Sequence, residues 1–236
     1  GQMTHRLNDM IPQVYTMEIE KKASELRALQ AMINPHFLYN SLSNIKWKAL
    51  RSGNDDISEI TGLLAKFYRT CLNNGQPLTT VRSELENIKA YVRIQQLTHD
   101  NGFDAEYDIE ESQLDYQMLN FMLQPIVENA FSHGLKSCEE GGRILLRVWM
   151  QGTRLVLTVA DNGKGMTPEE LDALQEKIAQ SEQTGKSIGL GNISRRIGML
   201  YPDGAMKIYS RPGHGTVVRF EIPQQVRQEG ADSHEV

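Results

Sequence analysis

The chain has 236 residues, 39% hydrophobic and 23% charged, enough for two compact domains or for one domain with a long helical arm. A formal net charge of -5 excludes a general affinity for nucleic acid or anionic membrane surfaces. The two cysteines, Cys71 and Cys138, show no C-x-x-C spacing, which excludes a disulfide framework and a zinc ribbon and suits a reducing compartment. The least interrupted apolar stretch, 119–127, contains Asn120, Gln124 and Pro125 and is too short to cross a bilayer. No signal-peptide pattern opens the chain, and its start on Gly1-Gln2 leads us to expect a piece of a longer protein.

Met3, Leu7, Met10, Val14 and Met17 step by four and three, the rhythm of a helix that pairs with a partner, and Pro12 splits it. A second helix, from about residue 17, pairs Glu18 with Lys22 and repeats Ile19, Leu26 and Ile33 every seven residues, with Leu29 between them. It runs toward Leu50 and stops at the turn and cap residues Ser52-Gly53-Asn54-Asp55. Helices are also predicted over about 57–72 and 80–98, the latter with Ser83 and Glu86 at capping-box spacing. After His99-Asp100-Asn101-Gly102 the pattern changes to alternating strands and helices. Strands are expected over 103–109, 144–150, 154–160, 206–210 and 216–222, and helices over 113–132, interrupted by Pro125, 168–179 and 192–200. The last dozen residues read as a disordered tail.

Several tempting motifs fail. Gly185-Lys186-Ser187 lacks the earlier P-loop glycine, because Gln180 stands in its place, and Gly189-Leu190-Gly191 is followed by Ser194 where a dinucleotide fingerprint needs its third glycine. The six histidines show no metal-ligand spacing, and there is no G-x-S-x-G elbow. What remains is a set of four blocks in the second half. A helix carries Glu128-Asn129-Ala130-Phe131-Ser132-His133-Gly134, and a strand ends in Asp161-Asn162-Gly163-Lys164-Gly165-Met166. Gly189-Leu190-Gly191-Asn192 opens a helix, and Gly215-Thr216 starts a strand.

Each block alone also reads as a turn, a helix entry or a solvated face. Together they suit a nucleotide pocket. Glycines let backbone amides approach phosphate oxygens, and a helix N-terminus favours the anion. A buried aspartate can accept from an exocyclic amine. An asparagine oxygen is a hard ligand for Mg²⁺, and a neighbouring carboxylate can orient a water on that ion.

These four blocks resemble the nucleotide-binding elements of the ATPase fold shared by gyrase, the mismatch-repair MutL protein and histidine kinases. The resemblance assigns Asn129 to Mg²⁺ and Glu128 to a water or base beside it. It assigns Asp161 and Thr216 to adenine and gives Gly163 and Gly165 the shaping of the base pocket. Gly189, Leu190 and Gly191 fall on the phosphate side, with His133 and Lys136 as candidates beside them, and 171–187 matches the fold's mobile ATP lid. In the first half, Asn34-Pro35-His36-Phe37-Leu38-Tyr39-Asn40, within the longer match from Leu26 to Leu42, resembles the phosphoacceptor helix of LytS/YesM-type sensor histidine kinases. Tyr91, Gln95 and Gln96 are similar to that family's later helix.

Periodicity alone makes His36 a seam residue, seven positions after Leu29. The resemblance makes it the acceptor of the γ-phosphoryl group of ATP, with Asn40 one turn later on the same face to orient a water or an incoming receiver domain. Pro35 should bend the helix just before it. Phe37 stands where many histidine kinases carry an acid, so the general base is not given by adjacency.

The expected fold class is therefore α+β: a helical dimerisation and phosphoacceptor domain followed by an α/β-sandwich ATP-binding domain. The expected domains are a signalling linker over 1–25, the helical domain over 26–100, the ATP-binding domain over 101–223 and a tail over 224–236. The resemblance implies a homodimeric two-component kinase, on the cytoplasmic side of the cell membrane, anchored through a segment preceding residue 1. It would use ATP and Mg²⁺ to phosphorylate His36 and pass the phosphoryl group to an aspartate of a response regulator, with no nucleic-acid partner. Helix motion arriving through 1–25 would change the distance between ATP and His36. Two rivals stay open: an enzyme of the same fold acting on another hydroxyl, and a dimerisation scaffold that only senses nucleotide.

Overall fold

The computed structural model describes residues 35–71, 77–98, 102–135, 141–184 and 189–223. The expected signalling helix and seam over 1–34, Lys136 and the tail over 224–236 lie outside the described residues. The chain divides into two compact units between Gly75 and Gln76.

The first unit contains a helical hairpin of α1 (Pro35–Arg51) and α2 (Asp55–Cys71). Its turn follows from the residues at the joint. The amide of Asn54 donates back to the Ala49 carbonyl at 3.0 Å, and the Ser52 hydroxyl donates to the same carbonyl at 2.9 Å. Asn54 then caps α2 by accepting from the Ile57 amide at 3.3 Å, while Asp55 and Asp56 place acid on its first turn. Ala49, Ser58 and Thr61 are buried at the helix contact, and the Arg69 guanidinium lies 5.7 Å from the centre of the Tyr39 ring. Phe37 and Trp47 nevertheless stay 71% and 63% exposed, and Ile45, Leu50 and Ile57 about half exposed.

The second unit is built on a five-stranded mixed sheet of order β2-β4-β5-β7-β6. Its strands are β2 (Phe103–Ile109), β4 (Gly142–Gln151), β5 (Arg154–Asp161), β6 (Ala205–Arg211) and β7 (Gly215–Pro223). Only the β2–β4 pair is parallel. The period-two pattern read from the sequence is realised: Ile144, Leu146 and Val148 are buried while Arg143 and Arg147 face water. On the open face Arg219 stacks 5.3 Å from the Trp149 ring centre and bonds Glu221 at 2.8 Å and Gln151 at 2.7 Å.

Among the described residues four helices accompany the sheet: α3 (Val81–Thr98), α4 (Gln124–Asn129), α5 (Pro168–Thr184) and α6 (Leu190–Leu200). Val81, Leu85, Ile88 and Val92 of α3 join Ile126, Val127, Ile193, Ile197 and the inner face of the sheet in one core. Thus α3 belongs to the same compact unit as the sheet, and the two compact units divide between Gly75 and Gln76.

The region expected as one helix over 113–132 is four pieces instead. A 3-10 turn (Glu111–Gln113) leads into β3 (Gln117–Leu119), which pairs antiparallel with β1 (Leu78–Thr80). The short helix α4 follows, and a π turn (Ala130–Gly134) continues it. The reason is Pro125. It lies in the first turn of α4, where a missing amide costs nothing, so it helps start a helix rather than interrupting one. Helix α5 extends to Thr184, beyond the expected end at 179, and α6 starts at Leu190.

Candidate functional site

Three neighbouring strands put the expected base-side residues in one row. Asp161 of β5 stands opposite Thr216 of β7, which stands opposite Ser210 of β6. Asp161 accepts from the Gly163 amide at 2.9 Å and from the Thr216 amide. Burial nevertheless dominates and holds its carboxyl above the usual aspartate value.

The loop after β5 is held by close backbone approaches. A methyl at Gly163 would collide with the backbone of Gly134, and one at Gly134 would come within 2.7 Å of Asp161 Oδ1. The two glycines therefore let the Asp161 loop lie directly on the end of the π turn, with the Lys164 amide donating to the Gly134 carbonyl at 3.2 Å. Gly165 has a positive φ of 66°, and a side chain there would run into the Arg211 carbonyl. The β6–β7 hairpin straps the loop from its other side, through Gly213 to Lys164 at 2.7 Å and Met166 to Ser210 at 2.9 Å.

Beside this row opens a cavity of about 530 Å³, a volume suited to a drug-sized or nucleotide-sized ligand. Asn129, His133, Asp161, Gly165, Gly189, Leu190, Gly191 and Thr216 line it. Eight expected residues from four separate blocks thus meet at one place. Gly163 is buried behind the wall, where it supports Gly134. Glu128 does not line the cavity; it sits one residue before Asn129 and accepts from the Gln124 side-chain amide at 2.8 Å. Tyr91 is pushed up to about 12, first by burial and then by the charge of Glu128. His36 and Asn40 belong to α1 in the other unit, where Asn40 is exposed.

Sequence reasoning missed several wall residues. Leu174, Lys177, Ile178 and Ser181 of α5 line the cavity, so the helix matched to the lid supplies two apolar side chains, a hydroxyl and one cation. Ser210, one step behind Thr216, was also missed. No local pattern marks it, because its place opposite Thr216 arises only from the pairing of the last two strands.

The two helices that bring Asn129 and Gly191 to the cavity are fixed at a buried junction. Glu84 of α3 is fully buried, and its carboxylate accepts from the amides of Phe121 at 3.1 Å, Leu123 at 2.9 Å and Gln124 at 3.3 Å, the entry to α4. Burial raises its pKa, and these amides pull it back. From α6, Arg196 donates to the Asn120 carbonyl at 2.7 Å in the same loop. The helix bearing Asn129 and the helix opened by Gly189 are therefore tied to one loop.

The family comparisons agree with this geometry. The model described as "Histidine kinase" matches residues 24–103, and the model described as "Histidine kinase-, DNA gyrase B-, and HSP90-like ATPase" matches residues 115–226. Between them they cover most of the chain. The chain belongs to the histidine kinase family.

Relatives of the family extend the match. The chain is 33% identical over 224 residues to "Sensor protein LytS" of Streptococcus agalactiae serotype V, covering 93% of this chain and 37% of that protein. It is 33% identical over 210 residues to "Sensor histidine kinase YpdA" of Escherichia coli K12, covering 88% and 35%. It is 28% identical over 222 residues to "Sensor histidine kinase YesM" of Bacillus subtilis 168, covering 94% and 37%. The chain thus spans little more than a third of the length of the curated relatives it matches. It carries a histidine kinase module and an ATPase module, and the second implies ATP use.

Proposed function

We propose that this kinase region binds Mg-ATP in the cavity and transfers the γ-phosphoryl group to His36, from which it passes to an aspartate of a response regulator. The observation that carries the reading is the convergence of Asn129, Asp161, Thr216 and the Gly189-Leu190-Gly191 helix start on one nucleotide-sized cavity. Asp161 and Thr216 hold the adenine, with Gly163 and Gly165 shaping its pocket. The amides at the start of α6 meet the phosphates, with His133, at the cavity wall, and Lys136 as further candidates on that side.

The fit to Mg²⁺ rests on the donor set. Among the described residues no group of three His, Cys, Asp or Glu side chains could hold a metal ion. A single asparagine oxygen in a cavity wall suits an ion that takes its other ligands from phosphate oxygens and water. When bound, the ion neutralises charge on the β- and γ-phosphates. Asn129 is its protein ligand, and Glu128, held by Gln124, orients a water or serves as base beside it.

In the transfer step a neutral imidazole nitrogen of His36 attacks the γ-phosphorus in line. An N–P bond forms, the P–O bond to ADP breaks, and ADP leaves with the electron pair. The first turn of α1 contains no acid, so the base that takes the imidazole proton comes from elsewhere, with Glu128 as the candidate. Asn40, one turn on, orients a water or the receiver domain in the second transfer. The large exposed apolar side chains of the hairpin support a homodimer formed through it. The family resemblance supports a membrane-anchored whole protein with this region on the cytoplasmic side; among the described residues no helix is long and apolar enough to cross a membrane.

Asn129→Asp tests the reading. It keeps the size of the side chain but adds a charge facing the phosphates. Mg-ATP-dependent labelling of the full chain should fall at least a hundredfold, with an unchanged circular dichroism spectrum. Full labelling in the variant contradicts the assignment.

A further inference from the structure

We propose that Ser210 makes the polar floor of the cavity acceptor-only, by taking the hydroxyl proton of Thr216, and that this sets selectivity for a 6-amino over a 6-oxo purine. The inference rests on the nucleotide reading above and adds a specificity-determining residue that does not itself line the cavity. The Ser210 hydroxyl has three polar neighbours: the Met166 amide, the Gly215 carbonyl and the Thr216 hydroxyl, each at 2.9 Å.

A serine hydroxyl has one proton to give and two lone pairs to receive. The Met166 amide can only donate, so it fills one lone pair. The Gly215 carbonyl can only accept, so it takes the proton. The Thr216 hydroxyl must then donate into the second lone pair. This is the one arrangement in which every contact carries a proton; the reverse sense leaves Ser210 facing the Gly215 carbonyl lone pair to lone pair.

The consequence reaches the cavity. With its proton committed to Ser210, Thr216 Oγ1 presents only lone pairs to a ligand. Beside it, the ionised Asp161 carboxylate also only accepts, its amide partners being Gly163 and Thr216. A ligand edge bearing an amine finds two acceptors. A carbonyl at the same position meets two acceptors and no donor, an unpaired contact that costs affinity. Without Ser210 the Thr216 hydroxyl is free to rotate and can donate to that carbonyl.

The test compares ATP with inosine triphosphate, which replaces the 6-amino group by a 6-oxo group, by calorimetry with Mg²⁺ on the full chain. In Ser210→Ala the ratio of ATP to inosine triphosphate affinity should fall about fivefold, the worth of one neutral hydrogen bond. Ser210→Thr, which restores a hydroxyl, should keep the wild-type ratio. An unchanged ratio in Ser210→Ala overturns the inference, including when both affinities fall together, because Ser210 would then be only a strap for the Met166 loop. Wild type that binds neither nucleotide overturns the nucleotide reading and this inference with it.

Discussion

Asp161 combines opposing influences: burial raises its pKa while the amides of Gly163 and Thr216 lower it, and burial wins. A raised value means that the folded chain takes up this proton more readily than the unfolded chain, so protonation favours the empty fold as the pH drops. It harms binding, since a protonated carboxyl loses acceptor capacity toward an amine. ATP affinity should therefore decline on acidification through a pH above the ordinary aspartate range near 3.9. In Asp161→Asn it should be at least tenfold weaker and should lack this decline, as read by calorimetry on acidification from neutral pH. A wild-type affinity independent of pH there would contradict the role. Asp161 was legible in the sequence because Asp-Asn-Gly after an alternating strand falls in order with three further blocks, although alone it reads as a turn. Ser210 was not, because its role arises from pairing with Thr216 across a hairpin, and no local pattern marks it.

At the scale of elements, the strands of the main sheet could be read from their alternation, and the hairpin turn from Ser52-Gly53-Asn54-Asp55. The short strands β1 and β3 could not. Three residues each give no period, and they exist because they pair with one another. The misreading of 113–132 has the same origin: apolar spacing around Pro125 fits a helix until the buried carboxylate of Glu84 is seen holding the loop before it. That carboxylate is the acceptor for three amides. Leaving buried amides without a partner costs about 1–3 kcal/mol each. Glu84→Ala should accordingly lower the unfolding free energy in urea by about 3 kcal/mol or more, and weaken Mg-ATP binding through displacement of α4. A loss under about 1 kcal/mol would show that the junction does not hold the loop.

The whole molecule joins a helical hairpin to an ATPase unit through the residues around Gly75 and Gln76. That two-part plan was legible from the change of pattern after residue 99, while the compact units divide between Gly75 and Gln76. Helix α3 has the same amphipathic texture as the helices before it, and only the packing of Leu85, Ile88 and Val92 against the sheet assigns it to the second unit. The account requires that the nucleotide held in the second unit deliver its γ-phosphoryl group to His36 in the first. Incubation with γ-labelled Mg-ATP, comparing wild type with His36→Gln, tests that directly. We predict an acid-labile, base-stable label on the wild type that is absent from the variant. A label that persists in His36→Gln, or one stable to acid, would contradict the account.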